Sequence, residues 1–475
     1  MRRPGSTAKE VTMRPFPVTL LGVAALGLAL GAAPPASAEV PEPSRAMTLG
    51  DALAFARAHQ PAIRAAMARI AAQTEEARVP RAEWLPSVGA TAQIFGATSN
   101  NTTGTFVGAP FMDVPRIGGS PVVSPGTARP YASTFVGAGI QQEVFDFGRI
   151  AAHAAAEDAL VDVARHQATA ERLDIDFSVE EAYFAVYAAK SVLSAAKDAE
   201  DRSRVHRDLA KAGVDAGLRS PVELTRAEAD LARFTIEVER ARAAIATAQS
   251  VLAATVGVPE PLLDTSGGAP STKEMPSLSD AVRDAAARDP FILEAEARVR
   301  AEEKRTRAIA SDLRPDLSLS STLSLREGGA PPSSGPVATG YGLAPYVPNY
   351  DLGIVLRWPL WSGPVAARER ASRSLEQVRR EELGVVRFQR STAVQQCYLA
   401  VGVAKAVLPM LERAVGAARA NYDQADARFK SGLGNAVELA DAEALRTQAE
   451  IGLIIGRFEL ARARVAFGRA IAEEP

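Results

Sequence analysis

The chain has 475 residues, a formal net charge of -2 and 6% aromatic residues, so it offers no basic field for nucleic acid and is too long for one simple core. Its one cysteine, Cys397, excludes an intrachain disulfide, a CxxC site and a thiolate metal cluster. The four histidines (His59, His153, His166 and His206) share no ligand spacing, and no phosphate-binding glycine loop, nucleophile elbow or His-Glu zinc motif occurs. Neither a metal, a cofactor nor enzymatic chemistry is expected.

At the N-terminus Arg2, Arg3, Lys9 and Arg14 precede an apolar run from Val18 to Ala33, and Ala36-Ser37-Ala38 fits a small-residue cleavage site before Glu39. Residues 1–38 read as a signal peptide, and no cysteine at the cleavage site offers a lipid anchor. No later stretch reads as long and apolar enough for a membrane helix, so entry into a bilayer would need strands.

The mature chain reads as two structural repeats, 39–258 and 277–475, joined by a low-complexity connector, 259–276. In the first repeat a short amphipathic helix over 48–60 is followed by Pro61 and an Ala-rich helix to about Trp84. The pattern recurs over 277–289, at Pro290 and on to about Leu313. Asp51 matches Asp280, Pro61 matches Pro290, Ile63 matches Ile292, Arg69 matches Arg298 and Pro86 matches Pro315, all at one offset of 229 residues. Pro86 and Pro315 end these helices, because proline and the residue before it disfavour helix continuation.

Period two takes over there. Leu317, Leu319, Leu323 and Leu325 alternate with Ser318, Ser320, Thr322 and Ser324, and Tyr350, Leu352, Ile354, Leu356 and Trp358 form a second apolar face. Val88, Ala90, Ala92 and Ile94, then Val136, Ala138, Ile140 and Val144, are weaker counterparts in the first repeat. The expected strands, about 86–97, 132–145, 316–326 and 349–361, have the length that crosses a bilayer when tilted. Polar stretches at about 98–131 and 326–348 read as exposed loops. Phe145, Phe147, Trp358 and Trp361 stand where each repeat leaves its second strand, either as an interfacial girdle or as plain packing.

A helix from Arg149 to Ala212 carries no proline and reaches about 100 Å; its counterpart from Val365 to Lys430 contains Pro409, where a kink is expected. Each long helix ends in a glycine turn. Ala216-Gly217-Leu218 leads into Ser220-Pro221-Val222-Glu223-Leu224, and Ser431-Gly432-Leu433 leads into Asn435-Ala436-Val437-Glu438-Leu439, 215 residues later. Ser220 and Asn435 take N-cap positions, and Glu223 and Glu438 complete capping boxes. Behind them run coiled-coil seams: Leu224, Ala227, Leu231, Phe234, Val238, Ala241, Ile245, Ala248 and Leu252 in the first copy, and Leu439 to Phe467, interrupted at Arg446, in the second.

Within a repeat, the helix before the strands and the helix after the turn together match the long helix, so a short-plus-short stack lies antiparallel beside it. The strands then leave at one end and the glycine turns lie at the other. Four strands per chain cannot close a barrel, since bacterial barrels start at about eight, and lipid tolerates no open edge. The strands must close between copies. A homotrimer with a twelve-stranded barrel is preferred over a dimer, whose eight strands would enclose little room.

These residues resemble the TolC-like outer-membrane efflux protein family of Gram-negative bacteria, over the whole mature chain from about Met47. The resemblance rests on the duplicated opening (Leu49, Asp51, Ala52, Pro61 and Leu278, Asp280, Ala281, Pro290), the Leu85-Pro86 and Arg314-Pro315 junctions, the Pro359-Leu360-Trp361-Ser362-Gly363 exit, and the Gly-Leu turns followed by Val-Glu-Leu. It implies an α+β membrane channel-tunnel: a trimer with a β-barrel in outer-membrane lipid and a helical barrel in the periplasm, whose closed end is docked by a periplasmic adaptor and an inner-membrane pump. It also implies that Gly217, Leu218, Gly432 and Leu433 contact the adaptor; alternatively glycine only shapes the turn and leucine packs the tip. Acidic residues facing the axis at the closed end would here be Asp441, Glu438 and Glu223, with capping as the competing role of the two glutamates. The basic residues that pin the closed state in some members have no match, and Gly434 stands at one such place. The implied function is a passive exit duct for small toxic molecules. The alternatives are a duct for type I protein secretion and, from another class, a soluble periplasmic coiled-coil scaffold.

Overall fold

The computed structural model describes residues 46–98, 130–259, 262–267, 274–327 and 347–473, all within one compact unit spanning Pro43–Pro475. The signal-peptide segment 1–38 and most of both expected loops lie outside the described residues. The first part of the chain runs β1 (Ala46–Met47), α1 (Leu49–His59), α2 (Pro61–Glu76), α3 (Val79–Ala82), β2 (Ser87–Thr98), β3 (Pro130–Phe145), α4 (Arg149–Asp215) and α5 (Pro221–Val256). The second runs β4 (Asp264–Thr265), α6 (Leu278–Arg288), α7 (Pro290–Ser311), β5 (Asp316–Glu327), β6 (Val347–Arg357), α8 (Gly363–Lys430) and α9 (Ala436–Ala470).

Several helices begin where the local chemistry satisfies or removes a free amide. Thr48 and Ser277 each accept the backbone N–H three residues on, from Asp51 and Asp280, at 3.2 Å. Pro61 and Pro290 open α2 and α7, where a missing N–H costs nothing. Beyond that the two openings diverge. The helix expected to run unbroken to Trp84 stops at Glu76, because Pro80 has no amide to donate and its ring excludes the preceding turn; a four-residue α3 follows. Ile309 stands at the same place in the other opening, and α7 continues for 22 residues.

Three further boundaries differ from expectation. The last strand ends at Arg357 instead of about 361, since Pro359 cannot donate to a ladder. Gly213 does not end α4, which continues to Asp215. The connector is not structureless: β4 pairs in parallel with β1, and Lys190 of α4 holds Asp264. α8 remains one helix on both sides of Pro409. It also contains an eighteen-residue stretch apolar enough to pass as a membrane span by composition, although only 11% of it is buried in the single chain. Gln395, Gln396 and Lys405 interrupt the run, which hid it from a reading of the sequence.

The two long helices have nearly equal length, 67 residues for α4 and 68 for α8. α5 packs along one part of α4 and α2 along the other, and Gln60 donates to the carbonyl of Thr255 at 2.7 Å, so the start of α2 abuts the end of α5. α9, α6 and α7 pack in the same way on α8, and α7 also lies on α4. In α5 the nine seam positions from Leu224 to Leu252 are all buried or half-buried.

β2, β3, β5 and β6 form one antiparallel sheet in that order, with a bulge between Glu143 and Phe145. One face carries Val88, Ile94, Ile140, Leu323, Leu352 and Ile354, all exposed; the other carries Ser318, Thr322 and Ser324, all buried. β2 and β6 are the edges, each paired on one side only among the described residues.

The two hairpins, α4–α5 and α8–α9, meet through a buried ion pair. Arg202 of α4 donates to both carboxylate oxygens of Glu443 in α9 at 2.8 and 3.0 Å, and the Glu443 side chain is only 2% exposed. Arg202→Met leaves that carboxylate buried and uncompensated, and should lower unfolding stability by about 3–5 kcal/mol in urea titrations of the detergent-solubilised protein; adding Glu443→Leu should restore most of the loss.

Candidate functional site at the hairpin tips

The end of α4 and the end of α8 share one backbone device. Gly217 donates to Val214 at 2.9 Å and Leu218 to Gly213 at 2.8 Å; Gly432 donates to Phe429 at 3.1 Å and Leu433 to Arg428 at 2.9 Å. These are two Schellman turns, which require a left-handed residue. Gly217 and Gly432 supply it at φ +69° and +77°. Nothing lies within 4 Å of where a Cβ would stand on either glycine, so the requirement is conformational and not steric.

In such turns the residue after the glycine commonly packs on the residue at the start of the last helical turn. Here those positions are Gly213 and Arg428, neither of which is a hydrophobic residue. Leu218 and Leu433 are consequently 83% and 78% exposed, and neither packs the tip within the chain. Val222 and Val437, one helical turn further on, are exposed as well, so each tip presents an apolar pair.

The caps that follow are only half of the expected boxes. Asn435 accepts from the N–H of Glu438 at 2.8 Å, and Ser220 accepts from Val222 at 3.4 Å. Neither glutamate returns to its cap. Glu223 instead accepts from Arg219 at 3.1 Å, and Glu438 forms an ion pair with Arg428 at 3.2 Å. An arginine within reach offers a charge-assisted bond, which outweighs the neutral amide of a capping box. Asp441, one turn beyond Glu438, is exposed and has no partner among the described residues. Of the three acids singled out in the sequence, it alone keeps an uncompensated charge.

Arg219 is the residue that reading of the sequence missed. Its guanidinium lies 3.7 Å from the ring centroid of Phe429 and donates to the Phe429 carbonyl at 2.9 Å, so it joins the tip of the first hairpin to the end of α8. Gly213 makes room for it, since a Cβ there would meet the Arg219 side chain at 2.6 Å. A signal was present: at the offset of 215 residues Arg219 matches Gly434, the place where a basic residue was sought in the other copy. Gly434 itself leaves little room, since a Cβ there would stand 3.0 Å from the backbone N of Phe429. No group of His, Cys, Asp or Glu among the described residues is arranged to hold a metal ion.

The sequence profile of the outer membrane efflux protein family matches residues 53–258 and 281–473. A search of curated protein sequences finds no match. Among solved structures the chain is similar to the outer-membrane channel OprN, at 21% identity and a TM-score of 0.68 over 90% of each chain. It is also similar to the outer membrane protein VceC from Vibrio cholerae, at 17% identity and 0.66 over 90% of this chain and 96% of that one. The open state of the Neisseria gonorrhoeae MtrE outer membrane channel matches at 17% identity and 0.67, over 90% and 89%.

The Arg219–Phe429 contact should be measurable as a coupling. In a double-mutant cycle of Arg219→Ala and Phe429→Leu followed by denaturation, the two changes should be non-additive by about 1 kcal/mol, and additive values would show that the contact carries no energy.

Proposed function

The chain belongs to the outer membrane efflux protein family, and on that premise we propose that it forms a homotrimeric exit duct for small toxic molecules. The duct is passive, and the chain is a channel, not an enzyme. Energy comes from an inner-membrane pump, reached through a periplasmic adaptor.

The observation that carries this reading is the two-faced open sheet. Ile94 and Leu352 are 80% and 70% exposed on one face while serines and threonines fill the other. In water such a sheet would expose a large apolar patch together with two unpaired edges. Both costs vanish if the apolar face meets lipid and the edges meet those of neighbours. β2 and β5 run away from the helices and β3 and β6 run back, so β6 of one copy would meet β2 of the next antiparallel and the alternation would persist around a closed ring. The same reading supplies a neighbour to cover Phe388, Leu399, Val403 and Met410, exposed on α8. A soluble scaffold would have no use for either apolar surface.

At the far end the apolar pairs Leu218/Val222 and Leu433/Val437 are the surface offered to the adaptor, with Gly217 and Gly432 setting their presentation. Asp441, repeated by threefold symmetry, makes a ring of carboxylates that attracts cations. Glu438 and Glu223 contribute less, because each is already neutralised by an arginine of its own chain.

In mild detergent the purified protein should run as a trimer and conduct in planar bilayers, and Asp441→Asn should weaken block by divalent cations several-fold. A non-conducting monomer would overturn the duct, and unchanged block would remove Asp441 from its mouth. Because the space around both glycines is open, Gly217→Trp with Gly432→Trp should cost only about 1–2 kcal/mol each in backbone strain. Trimers should therefore persist while drug export, read as minimal inhibitory concentration, falls to the level of a deletion strain. Normal export would reject the adaptor contact.

A further inference from the structure

Inside one chain the two repeats already lie side by side, and their contact is a template for the free flank of α8. α9 of the second repeat packs on α4 of the first. Three ion pairs cross that seam: Arg202 with Glu443 at 2.8 Å, Arg462 with Glu181 at 2.5 Å and Arg469 with Asp174 at 2.5 Å. Phe184 of α4 and Phe458 and Ala461 of α9 belong to one apolar cluster there. The offset of 215 residues that relates Gly217 to Gly432 carries α4 onto α8, and the same offset carries α5 onto α9. Each residue of the internal seam thus has a known counterpart on α8 or α5.

On α8, Phe388, Leu399, Val403 and Met410 hold the places of Leu173, Phe184, Ala188 and Ala195 on α4. The four on α4 are buried or half-buried, whereas the four on α8 are exposed. What this flank lacks is the helix that α9 supplies to α4. The counterpart of α9 is α5, and the places on α5 that match Phe458, Ala461 and Arg462 are Ala243, Ala246 and Thr247, all exposed. α5 of the same chain is already committed to α4. The missing helix therefore has to come from a second copy of the chain.

We propose that α5 of a second copy lies along this flank of α8 as α9 lies on α4, joined through apolar and small side chains where the repeats of one chain are joined by ion pairs. The inference rests on the reading of the chain as a duct built from several copies, and goes beyond it by naming the two surfaces that meet. Carried across by the offset, Arg202 with Glu443 becomes Ala417 with Glu228, Glu181 with Arg462 becomes Gln396 with Thr247, and Asp174 with Arg469 becomes Gln389 with Ala254. None of the three ion pairs has a counterpart. Glu239, on the same row of α5, is held by Arg242 of its own helix. Size is exchanged as well: near one level of the internal seam α4 offers Ala188 and α9 offers Phe458, and at the matching level α8 offers Val403 and α5 offers Ala243. The large side chain has moved from one wall to the other, so the two exposed surfaces are complementary.

The test uses full-length protein with Cys397→Ala in mild detergent. Leu399→Cys combined with Ala246→Cys, the counterparts of Phe184 and Ala461, should on oxidation give bands of two and three chains that a reductant abolishes. Leu399→Cys combined with Ala232→Cys, about 21 Å further along α5, should not. Val403→Ala and Ala243→Phe should each lower the temperature at which oligomers dissociate in SDS by several degrees. Together they recreate the alanine and phenylalanine of the internal seam and should recover most of the loss. Both positions are exposed in the single copy, so the losses report the seam and not the fold. An oligomer that gives no Leu399–Ala246 cross-link, or two losses that simply add, would overturn this seam and leave the duct standing; a chain that stays monomeric would remove both.

Discussion

A backbone amide without a partner is costly in hydrocarbon, and in the proposed duct that cost constrains the sheet more than any contact within one copy. The sheet has two edges, β2 and β6, and carries its apolar side chains outward. A single copy can satisfy neither feature. The lengths of the helices belong to the same constraint. With α4 at 67 residues and α8 at 68, the two hairpins leave the sheet together and turn together, and the contact of Arg219 with Phe429 brings both turns to one place. Unequal helices would have staggered the turns and left the end of the bundle open on one side.

The hairpins are held by unlike means along their length. At mid-length the packing is apolar, around Leu53, Val179, Tyr183, Leu252 and Val256 in one cluster and Val394, Val401, Leu460 and Phe467 in another. Toward the tips an apolar cluster with Phe429 and Leu439 is joined by ion pairs and hydrogen bonds through Arg202, Glu443, His206, Tyr422 and Asp426. Apolar burial gains from every square ångström covered and has no preferred alternative. A buried ion pair roughly balances its desolvation against its attraction, so such an interface separates at lower cost.

What the sequence made legible was whatever repeats or alternates. Period two marked all four strands of the sheet, the seam from Leu224 to Leu252 marked the buried stripe of α5, and the paired prolines marked the starts of α2 and α7. Local chemistry was legible only where one partner was available. The capping boxes failed because Arg219 and Arg428 stood closer to the glutamates than the cap amides did, a fact of three dimensions. The end of α2 at Glu76 follows from Pro80, a local break that the duplicated pattern does not share, since Ile309 stands at that place in the second repeat. The joining of β3 to β5, residues far apart in the chain, has no local signature at all.

Duplication also explains why the tip was the hardest part to read. Arg219 needs an aromatic ring and a free carbonyl to reach, and Phe429 provides both; an arginine in place of Gly434 would crowd the backbone at that same residue. One copy therefore carries the long side chain and the other carries none. The glycine that looked like a missing latch is the space into which the end of α8 folds back, and the cation stands in the other repeat. Equivalent positions in a duplicated chain are thus best compared for what they lack as well as for what they share.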